Sequence, residues 1–246
     1  MAKRYLFDER ISIARDLMTG VGWLHRHGRN PSIGVSTESI WAGGGLYPWS
    51  SWDTAGTLTV VSSNAADTTM TLLIVGLNND FDEISETVTL NGTTSVPTTL
   101  SYRRINRATI TSSTEPAGNI TIAKSAVTVA YIATGNNQTL LSQFTIPRGK
   151  RGYLIRAAFS SGKNVSLSIS MFSRDFGKVF RLRDAADLYN TKTESTLYIP
   201  TTFAAKSDID FRAAVDSGTG SASVQYDIII IDVPIAWVGP DGGPGS

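Results

Sequence analysis

The sequence predicts an all-β fold made of antiparallel β-sandwiches, of the jelly-roll or immunoglobulin-like kind. In residues 84–90, Ile84, Val88 and Leu90 lie on one face and serine and threonine on the other, a pattern typical of a strand with one buried face. Asn91-Gly92 follows directly, and this dipeptide is the strongest short-range signal of a β-hairpin. The same alternation recurs at residues 165–171, 209–213 and 224–228.

The composition excludes several classes of protein. The chain has 246 residues, a formal net charge of +1 and no cysteine. The absence of cysteine excludes disulfides, thiolate metal sites and cysteine nucleophiles, and the near-neutral charge gives no general attraction to nucleic acid or membranes. No apolar run reaches the ~20 residues of a membrane span. The N-terminus lacks the apolar stretch and cleavage site of a signal peptide, so we expect synthesis without export.

Residues 1–52 differ in composition from the rest and are expected to form an extended N-terminal arm. Apolar residues at helical spacing predict one short helix over residues 8–18, which Gly20 ends. Beyond it the segment is rich in glycine and proline, yet it holds four of the five tryptophans. Because so much aromatic surface is not left in water, the arm must pack on its own body or on a neighbouring subunit.

Two β-sandwiches in tandem are expected to follow the arm. The first covers residues 53–133 and the second residues 134–238, with a glycine- and proline-rich tail at residues 239–246. The spacing of the strands is typical of sandwiches, and one intertwined domain is an open alternative. Strands of the first unit are predicted around residues 58, 72, 88, 102–110, 120 and 129. Strands of the second are predicted at residues 140–146, 153–159, 165–172, 179–183, 197–199, 209–215 and 224–233.

The tryptophan-rich arm is the candidate interaction site. We expect it to dock on a partner subunit, because burying each aromatic anchor is worth about 2 to 3 kcal/mol. Neighbouring basic residues would add a salt-dependent contribution, and the remaining body is expected to fold without the arm. The predicted interface residues are Trp23, His25, Arg26, His27, Arg29, Trp41, Trp49 and Trp52.

The residues that could carry chemistry predict no active site. His25 and His27 are two apart, but a metal needs a third ligand and the flanking arginines repel a cation. Asp208 and Asp210 share one strand face, where paired carboxylates can serve a glycosidase, but solvated side chains are the better interpretation. The acidic turn at residues 78–83 only loosely matches a calcium loop. No nucleophile elbow or phosphate loop occurs. We therefore predict no catalytic residue, no metal ligand, no cofactor and no enzymatic activity.

Two basic groups could contact a phosphate backbone. They lie at residues 103–107, on a predicted strand, and at residues 148–151, in a turn. Acidic residues nearly balance the charge, and no basic sheet face studded with aromatic residues is visible, so contact with nucleic acid is not favoured. Stacking of sugar rings on the tryptophan-rich arm is a further alternative, and docking of the arm on a subunit is preferred to it.

A series of short motifs runs through residues 20–215. They are HRHGRNP at residues 25–31, ESIW at 38–41 with GG at 44–45 and Tyr47, GL at 76–77, SETVTLNGT at 85–93, RINR at 104–107, GNITI at 118–122, QT at 138–139 and IPRGK at 146–150. Together these motifs resemble virion structural proteins of tailed bacteriophages, marine ones especially. They are turns and strand edges, so they indicate a kind of protein more than a position in the particle. The compact turn at residues 64–69 departs from the longer glycine-rich insert of that family and only shortens a loop.

The resemblance implies a non-enzymatic, β-rich virion protein that is present in many copies. We expect it to be associated with the head, as a decoration, cement or minor capsid protein, with a neck, collar or tail-appendage position as the alternative. A carbohydrate- or receptor-binding module of the virion is the rival from another class. The expected partners are copies of the chain and other virion proteins, such as capsid, portal, neck or tail subunits, without membrane or nucleic acid. The expected location is the virion, after synthesis in the host cytoplasm.

Overall fold

The computed structural model describes residues 9–15, 17–190 and 192–233. Within these ranges the chain is all-β apart from one short α-helix and one 3₁₀ turn, and the paired strands are antiparallel. The all-β prediction is therefore confirmed. No helix in this part of the chain is long and apolar enough to span a membrane.

The elements follow one another along the chain in this order. The first are α1 (Glu9–Ala14), β1 (Val21–Ile33), β2 (Glu38–Ser39), a 3₁₀ turn (Trp49–Trp52), β3 (Thr59–Ser62), β4 (Thr71–Leu77), β5 (Glu83–Thr89), β6 (Val96–Pro97), β7 (Arg104–Ile110), β8 (Ile120–Lys124) and β9 (Val127–Ile132). The others are β10 (Phe144–Thr145), β11 (Lys150–Ser161), β12 (Ser166–Arg174), β13 (Arg181–Tyr189), β14 (Lys192–Phe203), β15 (Asp208–Val215) and β16 (Gly220–Asp232).

The helix ends earlier than predicted. The sequence predicts it over residues 8–18, whereas α1 ends at Ala14. The predicted apolar face is also wrong, because Ile11, Leu17 and Met18 are 49%, 60% and 40% exposed, whereas Ile13, outside that pattern, is buried. The chain enters β1 at Val21, so the segment after Ala14 leads into a strand.

Two of the four sheets enclose one hydrophobic core, and we call this unit the C-terminal module. Its first sheet has the strand order β1-β16-β11-β14, and its second has the order β10-β15-β12-β13, with β2 also paired to β15. Along β12 and β16, buried residues alternate with less buried ones, so each strand turns one face to the core. Phe211 of the second sheet packs against Phe159 and Tyr226 of the first, with ring centroids 6.0 and 4.9 Å apart.

The other two sheets enclose a second core and form the N-terminal module. Their strand orders are β6-β3-β8-β9 and β5-β4-β7. Aliphatic residues from β3, β4, β7, β8 and β9 fill this core together with Trp41, Tyr47, Trp49 and Trp52. Aromatic residues of the predicted arm therefore complete the core of the chain itself.

The predicted arm is part of the body, which corrects the boundary drawn at residue 52. β1 pairs with β16 from Val21↔Ile231 onward, and β2 pairs with β15. A body that began near residue 51 would lack both strands, as well as Trp41 and Trp49 of the other core. The body is therefore expected to need this segment in order to fold, which corrects the prediction from the sequence.

The two modules are intertwined in sequence. The chain builds β1 and β2 of the C-terminal module, then β3 to β9 of the N-terminal module, and then returns for β10 to β16. The intertwined arrangement, left open by the sequence, is the one observed. The predicted tail at residues 239–246 lies outside the described residues.

β1 crosses close to two other segments at Gly28. A Cβ atom added to Gly28 would lie 2.4 Å from Ser142 Cβ and 2.8 Å from the Ile40 carbonyl oxygen. The backbone fixes this crossing, since Ser142 N donates to Ile40 O at 3.2 Å and Arg29 N donates to Leu140 O at 3.4 Å. Only glycine fits here without a shift of the backbone.

Replacement of Gly28 by alanine tests whether β1 is an integral strand. We expect Gly28→Ala to lower the free energy of unfolding by about 1 to 3 kcal/mol, because the new methyl group overpacks a backbone crossing. Urea unfolding followed by tryptophan fluorescence measures the change.

The matched control lies on the same strand. An added Cβ at Gly22 has no atom within 4 Å, so Gly22→Ala should stay within about 0.5 kcal/mol of the wild type. Equal effects of the two substitutions would show that the segment does not cross the body at Gly28.

Candidate functional site

The structure divides the eight residues of the predicted interface among three places. Alternate side chains of a strand point to opposite faces of its sheet, so β1 separates its own members. The outer face of the first sheet holds Trp23, His25, His27 and Arg29, the inner face holds Arg26, and the core of the N-terminal module holds Trp41, Trp49 and Trp52.

The three tryptophans in the core anchor the chain's own fold, which corrects their predicted role at a subunit interface. Trp41, Trp49 and Trp52 are 3%, 9% and 0% exposed. The Trp52 indole Nε1 donates to the Tyr47 hydroxyl at 3.1 Å, and the Trp41 Nε1 donates to the Gly45 carbonyl at 3.1 Å. Their apolar surface and these hydrogen-bond donors are used inside the chain, so they cannot serve as anchors for a partner.

Arg26 links the two modules and does not face a partner. Its guanidinium donates to the carbonyl of Asn106 on β7 and lies 5.3 Å from the centroid of the Phe144 ring. The Asn106 amide in turn donates to the Thr145 carbonyl at 3.2 Å and accepts from Thr145 N at 3.1 Å. Burial lowers the pKa of Arg26, and its contact with Tyr226 opposes this shift.

The outer face of the first sheet is the part of the predicted interface that remains. Its first row is apolar. In the strand register Ile229 lies between Trp23 and Tyr153, and all three residues are half-buried. An apolar row next to charged groups is the pattern of an interface with a polar rim. We define the outer face by Trp23, His25, His27, Arg29, Tyr153, Arg156, Gln225, Asp227 and Ile229.

Asp227 is the centre of the charged row. Its Oδ1 lies 2.6 Å from His25 Nδ1 and accepts from Trp23 Nε1 at 3.2 Å, while its Oδ2 accepts from Arg156 Nη1 at 3.2 Å. The Asp227 side chain is 8% exposed, whereas that of His25 is 55% exposed. One buried carboxylate on β16 thus holds three side chains of the flanking strands, β1 and β11, in fixed positions.

The pKa values of this row follow from the same contacts. Burial by itself raises the pKa of Asp227, but the hydrogen bonds from His25, Trp23 and Arg156 outweigh it and leave this pKa lowered. Burial lowers the pKa of His27, and the nearby charges of His25 and Arg29 lower it further. The outer face is therefore arranged around an ionised Asp227.

Sequence reasoning missed five residues of this face: Tyr153, Arg156, Gln225, Asp227 and Ile229. All five lie in segments that were predicted as strands, so the alternation was visible. Their neighbours across the sheet could not be identified, because β1 was not predicted as a strand and its register with β16 was unknown.

A buried ionic network lies on the far side of the second sheet, where the modules meet. Asp208 and Asp210 share one face of β15, as predicted, but they are 1% and 0% exposed, which corrects their expected solvation. Arg104 of β7 holds Asp208 with two parallel hydrogen bonds of 2.9 Å. Arg174 Nε donates to Asp208 Oδ2 at 2.8 Å, and Thr145 Oγ1 donates to Asp208 Oδ1 at 2.6 Å.

Asp210 accepts from four different side chains. Arg212 Nε lies 2.8 Å and Trp49 Nε1 lies 3.1 Å from its Oδ2. Gln143 Nε2 donates to its Oδ1 at 2.6 Å, and Ser39 Oγ donates to Oδ2 at 3.3 Å. These donors come from both modules, so the carboxylate joins segments that are far apart in the chain.

Aromatic rings cover the cations of this network. Arg174 lies 4.5 Å from the Phe180 ring centroid and 5.3 Å from that of Trp49. Arg104 lies 5.5 Å from the Trp49 ring, and Arg212 lies 5.0 Å from the Phe180 ring, all within the range of cation–π attraction. The Asp208 and Asp210 carboxylates accept hydrogen bonds at both oxygens and are closed to solvent. This arrangement stabilises the fold, and these two carboxylates are not exposed for acid–base chemistry.

The acidic turn is likewise held by protein groups. Asp82 forms an ion pair with Arg148, with distances of 2.7 and 2.9 Å. Asn78 Oδ1 accepts from the backbone of Asp80 at 2.9 Å and of Asp82 at 3.0 Å, the usual geometry of an Asx turn. Among the described residues no group of three or more acidic or histidine side chains could hold a metal.

Three residues of the basic groups considered for phosphate binding are paired with carboxylates. Arg104 is buried in the ionic network, and Arg148 pairs with Asp82. Lys150 Nζ lies 3.3 Å from Glu83 and 3.4 Å from Asp232. The positive charges of these three residues are therefore already compensated within the chain.

Comparisons with known proteins identify no family. No protein-family model matches the sequence, and no curated protein matches it. A structure of infectious bursal disease virus, Gt strain, aligns with 92% of this chain and 74% of its own chain at 10% identity, with a TM-score of 0.25. The VP2 subviral particle of the same virus aligns with 88% of this chain and 77% of its own at 10% identity, with a TM-score of 0.20. Similarity at this level carries no argument about fold or function.

The lowered pKa of Asp227 predicts a pH dependence of stability. The folded state binds the proton of the Asp227 carboxyl less tightly than the unfolded state does. The contribution of ionised Asp227 to the free energy of unfolding is therefore complete above the ordinary carboxyl pKa of 3.8, and it is lost as the pH falls through the lower pKa of the folded state. Asp227→Asn should therefore destabilise the protein at about pH 6, and its difference from the wild type should shrink toward about pH 3.

Urea unfolding at several pH values measures this difference. Asp187→Asn is the control, because Asp187 is an exposed carboxylate on β13. A difference between wild type and Asp227→Asn that stays constant over this range would contradict the assigned role of the charged row.

Proposed function

We propose that the protein is a non-enzymatic structural component of a virion, which assembles in many copies through contacts between subunits. The proposed place is the head of a tailed bacteriophage, as a decoration, cement or minor capsid protein. The proposed partners are copies of the chain and other virion proteins. The motifs that resemble virion structural proteins of tailed bacteriophages support this proposal.

The pairing of strands in the C-terminal module is the observation that carries the proposal. The pairs are nested along the chain: β12 with β13, β11 with β14, β10 and β2 with β15, and β1 with β16. A ribbon of nested antiparallel pairs that rolls up into two four-stranded sheets is the jelly roll, which recurs in viral capsid proteins and in lectins. We therefore propose a jelly-roll sandwich for this module and a smaller sandwich for the other.

The outer face of the first sheet is the proposed contact between subunits. Trp23, Ile229 and Tyr153 form its apolar row, and aromatic anchors of this kind contribute most to interface energies. Asp227 holds His25 and Arg156 beside them, which supplies a charged rim. The rigid sheet beneath means that little ordering is needed on binding.

Substitution of two anchors on this face tests the proposal. Trp23→Ala with Tyr153→Ala should reduce the number of copies per particle by about tenfold or more, since the loss of two anchors costs several times the 1.4 kcal/mol that a factor of ten requires. Quantitative mass spectrometry of purified virions gives the copy number. The free energy of unfolding of the isolated variant shows whether the fold is retained.

Tyr189→Ala is the matched control, because Tyr189 is 69% exposed on β13, outside this face. Equal incorporation of the double variant and the control would place the interface elsewhere. Absence of the wild-type protein from purified virions would overturn the structural role itself.

A binding experiment separates this function from a receptor-binding role. A head component should bind purified capsids and raise their melting temperature, because a ligand of the assembled state stabilises it. A receptor-binding module should instead adsorb to host cells or glycans and leave the melting temperature of capsids unchanged.

A further inference from the structure

A groove of about 580 Å³ with both polar and apolar lining lies where β1 passes the N-terminal module. Arg29 of β1 lines one side of the groove. Thr121 of β8 and Tyr131 of β9, which are direct neighbours in the sheet, line the other. Thr128 and Asn136 complete the polar lining. The volume is within the usual range of small-ligand sites, which are often found between domains.

The backbone on the β1 side of the groove is held in place before any ligand arrives. A Cβ atom added to Gly43 would lie 2.4 Å from the Trp41 ring, so the backbone at Gly43 rests on a buried side chain. Glu38 Oε2 accepts from Gly45 N and its Oε1 accepts from Gly34 N, both at 2.8 Å. These contacts fix the loop that lines the groove, and a preformed site binds without a large ordering cost.

The polar side chains of the groove have free hydrogen-bonding capacity. Among the described residues, the side chains of Arg29, Thr121, Thr128, Tyr131 and Asn136 make no hydrogen bond or ion pair with one another or with other parts of the protein. The lining residues include no carboxylate. Arg29 therefore offers an unpaired guanidinium, in contrast to Arg26, which is used inside the fold.

We propose that this groove binds a sugar that carries a carboxylate, such as a uronic or sialic acid residue of a glycan. The planar guanidinium of Arg29 suits a carboxylate, which it can hold with two parallel hydrogen bonds. The hydroxyls of Thr121 and Thr128 and the amide of Asn136 both donate and accept, as sugar hydroxyls require. The ring of Tyr131 supplies an apolar surface with a polar end. This site does not depend on the proposed assembly role, because it lies apart from the apolar row of the outer face.

Paired sugars that differ only in the carboxylate test the proposal. Glucuronate and glucose differ at one carbon, where glucuronate has a carboxylate and glucose a hydroxymethyl group. Ligand-observed NMR titration of the full chain should give millimolar affinity for glucuronate and binding of glucose that is weaker by about tenfold or more, because glucose lacks the carboxylate that accepts the charge-assisted hydrogen bonds of Arg29. Arg29→Gln should remove the preference for glucuronate, and Arg29→Lys should retain part of it because the charge remains.

The control variant is Arg181→Gln, an exposed arginine on β13 away from the groove, which should bind glucuronate as the wild type does. The proposal is overturned if glucuronate binds no better than glucose, or if Arg29→Gln keeps the preference. It is also overturned if inorganic phosphate displaces glucuronate at much lower concentration than acetate does, since the groove would then be a phosphate site.

Discussion

An arginine–aspartate network joins the two modules at their junction and holds them in register with each other. Asp208 and Asp210 lie on one face of β15, and the residues between and beyond them, Ile209 and Phe211, lie in the C-terminal core. One strand therefore carries a hydrophobic core on one side and the joint between modules on the other. Loss of one partner of such a buried pair leaves a charge without compensation, which costs more than the intact pair contributes. Cation–π contacts with aromatic rings add to this joint.

The joint determines which surfaces remain for function. The N-terminal module packs against the outer side of the second sheet, so the proposed contact between subunits uses the outer face of the first sheet. β1 serves both units: Trp23 and His25 lie on the open face, Arg26 reaches β7 of the other module, and Arg29 lines the groove between them. A change in the angle between the modules would alter the groove, whereas the outer face belongs to one rigid sheet and would be preserved.

Period-two alternation predicted the strands whose inner positions are apolar, such as β5, β12 and β16. It failed for β1, because outward positions there hold tryptophan and histidine and inward ones include Arg26 and Gly28. The segment therefore lacks a visible apolar face, and its glycines and proline suggested a loop. The ionic network could not be predicted either. Asp208 and Asp210 form a polar strand face, and nothing local shows that Arg104, distant in sequence, covers it. The position of Trp52 in the core also depends on contacts distant in sequence.

Urea unfolding of Asp208→Asn measures whether the buried network holds the two modules together. Asp208 is 1% exposed between Arg104 and Arg174, so we expect a loss of about 3 to 5 kcal/mol in the free energy of unfolding. Asp82→Asn breaks the exposed pair with Arg148 and should cost about 1 kcal/mol or less. A loss for Asp208→Asn no larger than that of Asp82→Asn would show that the network does not hold the modules together.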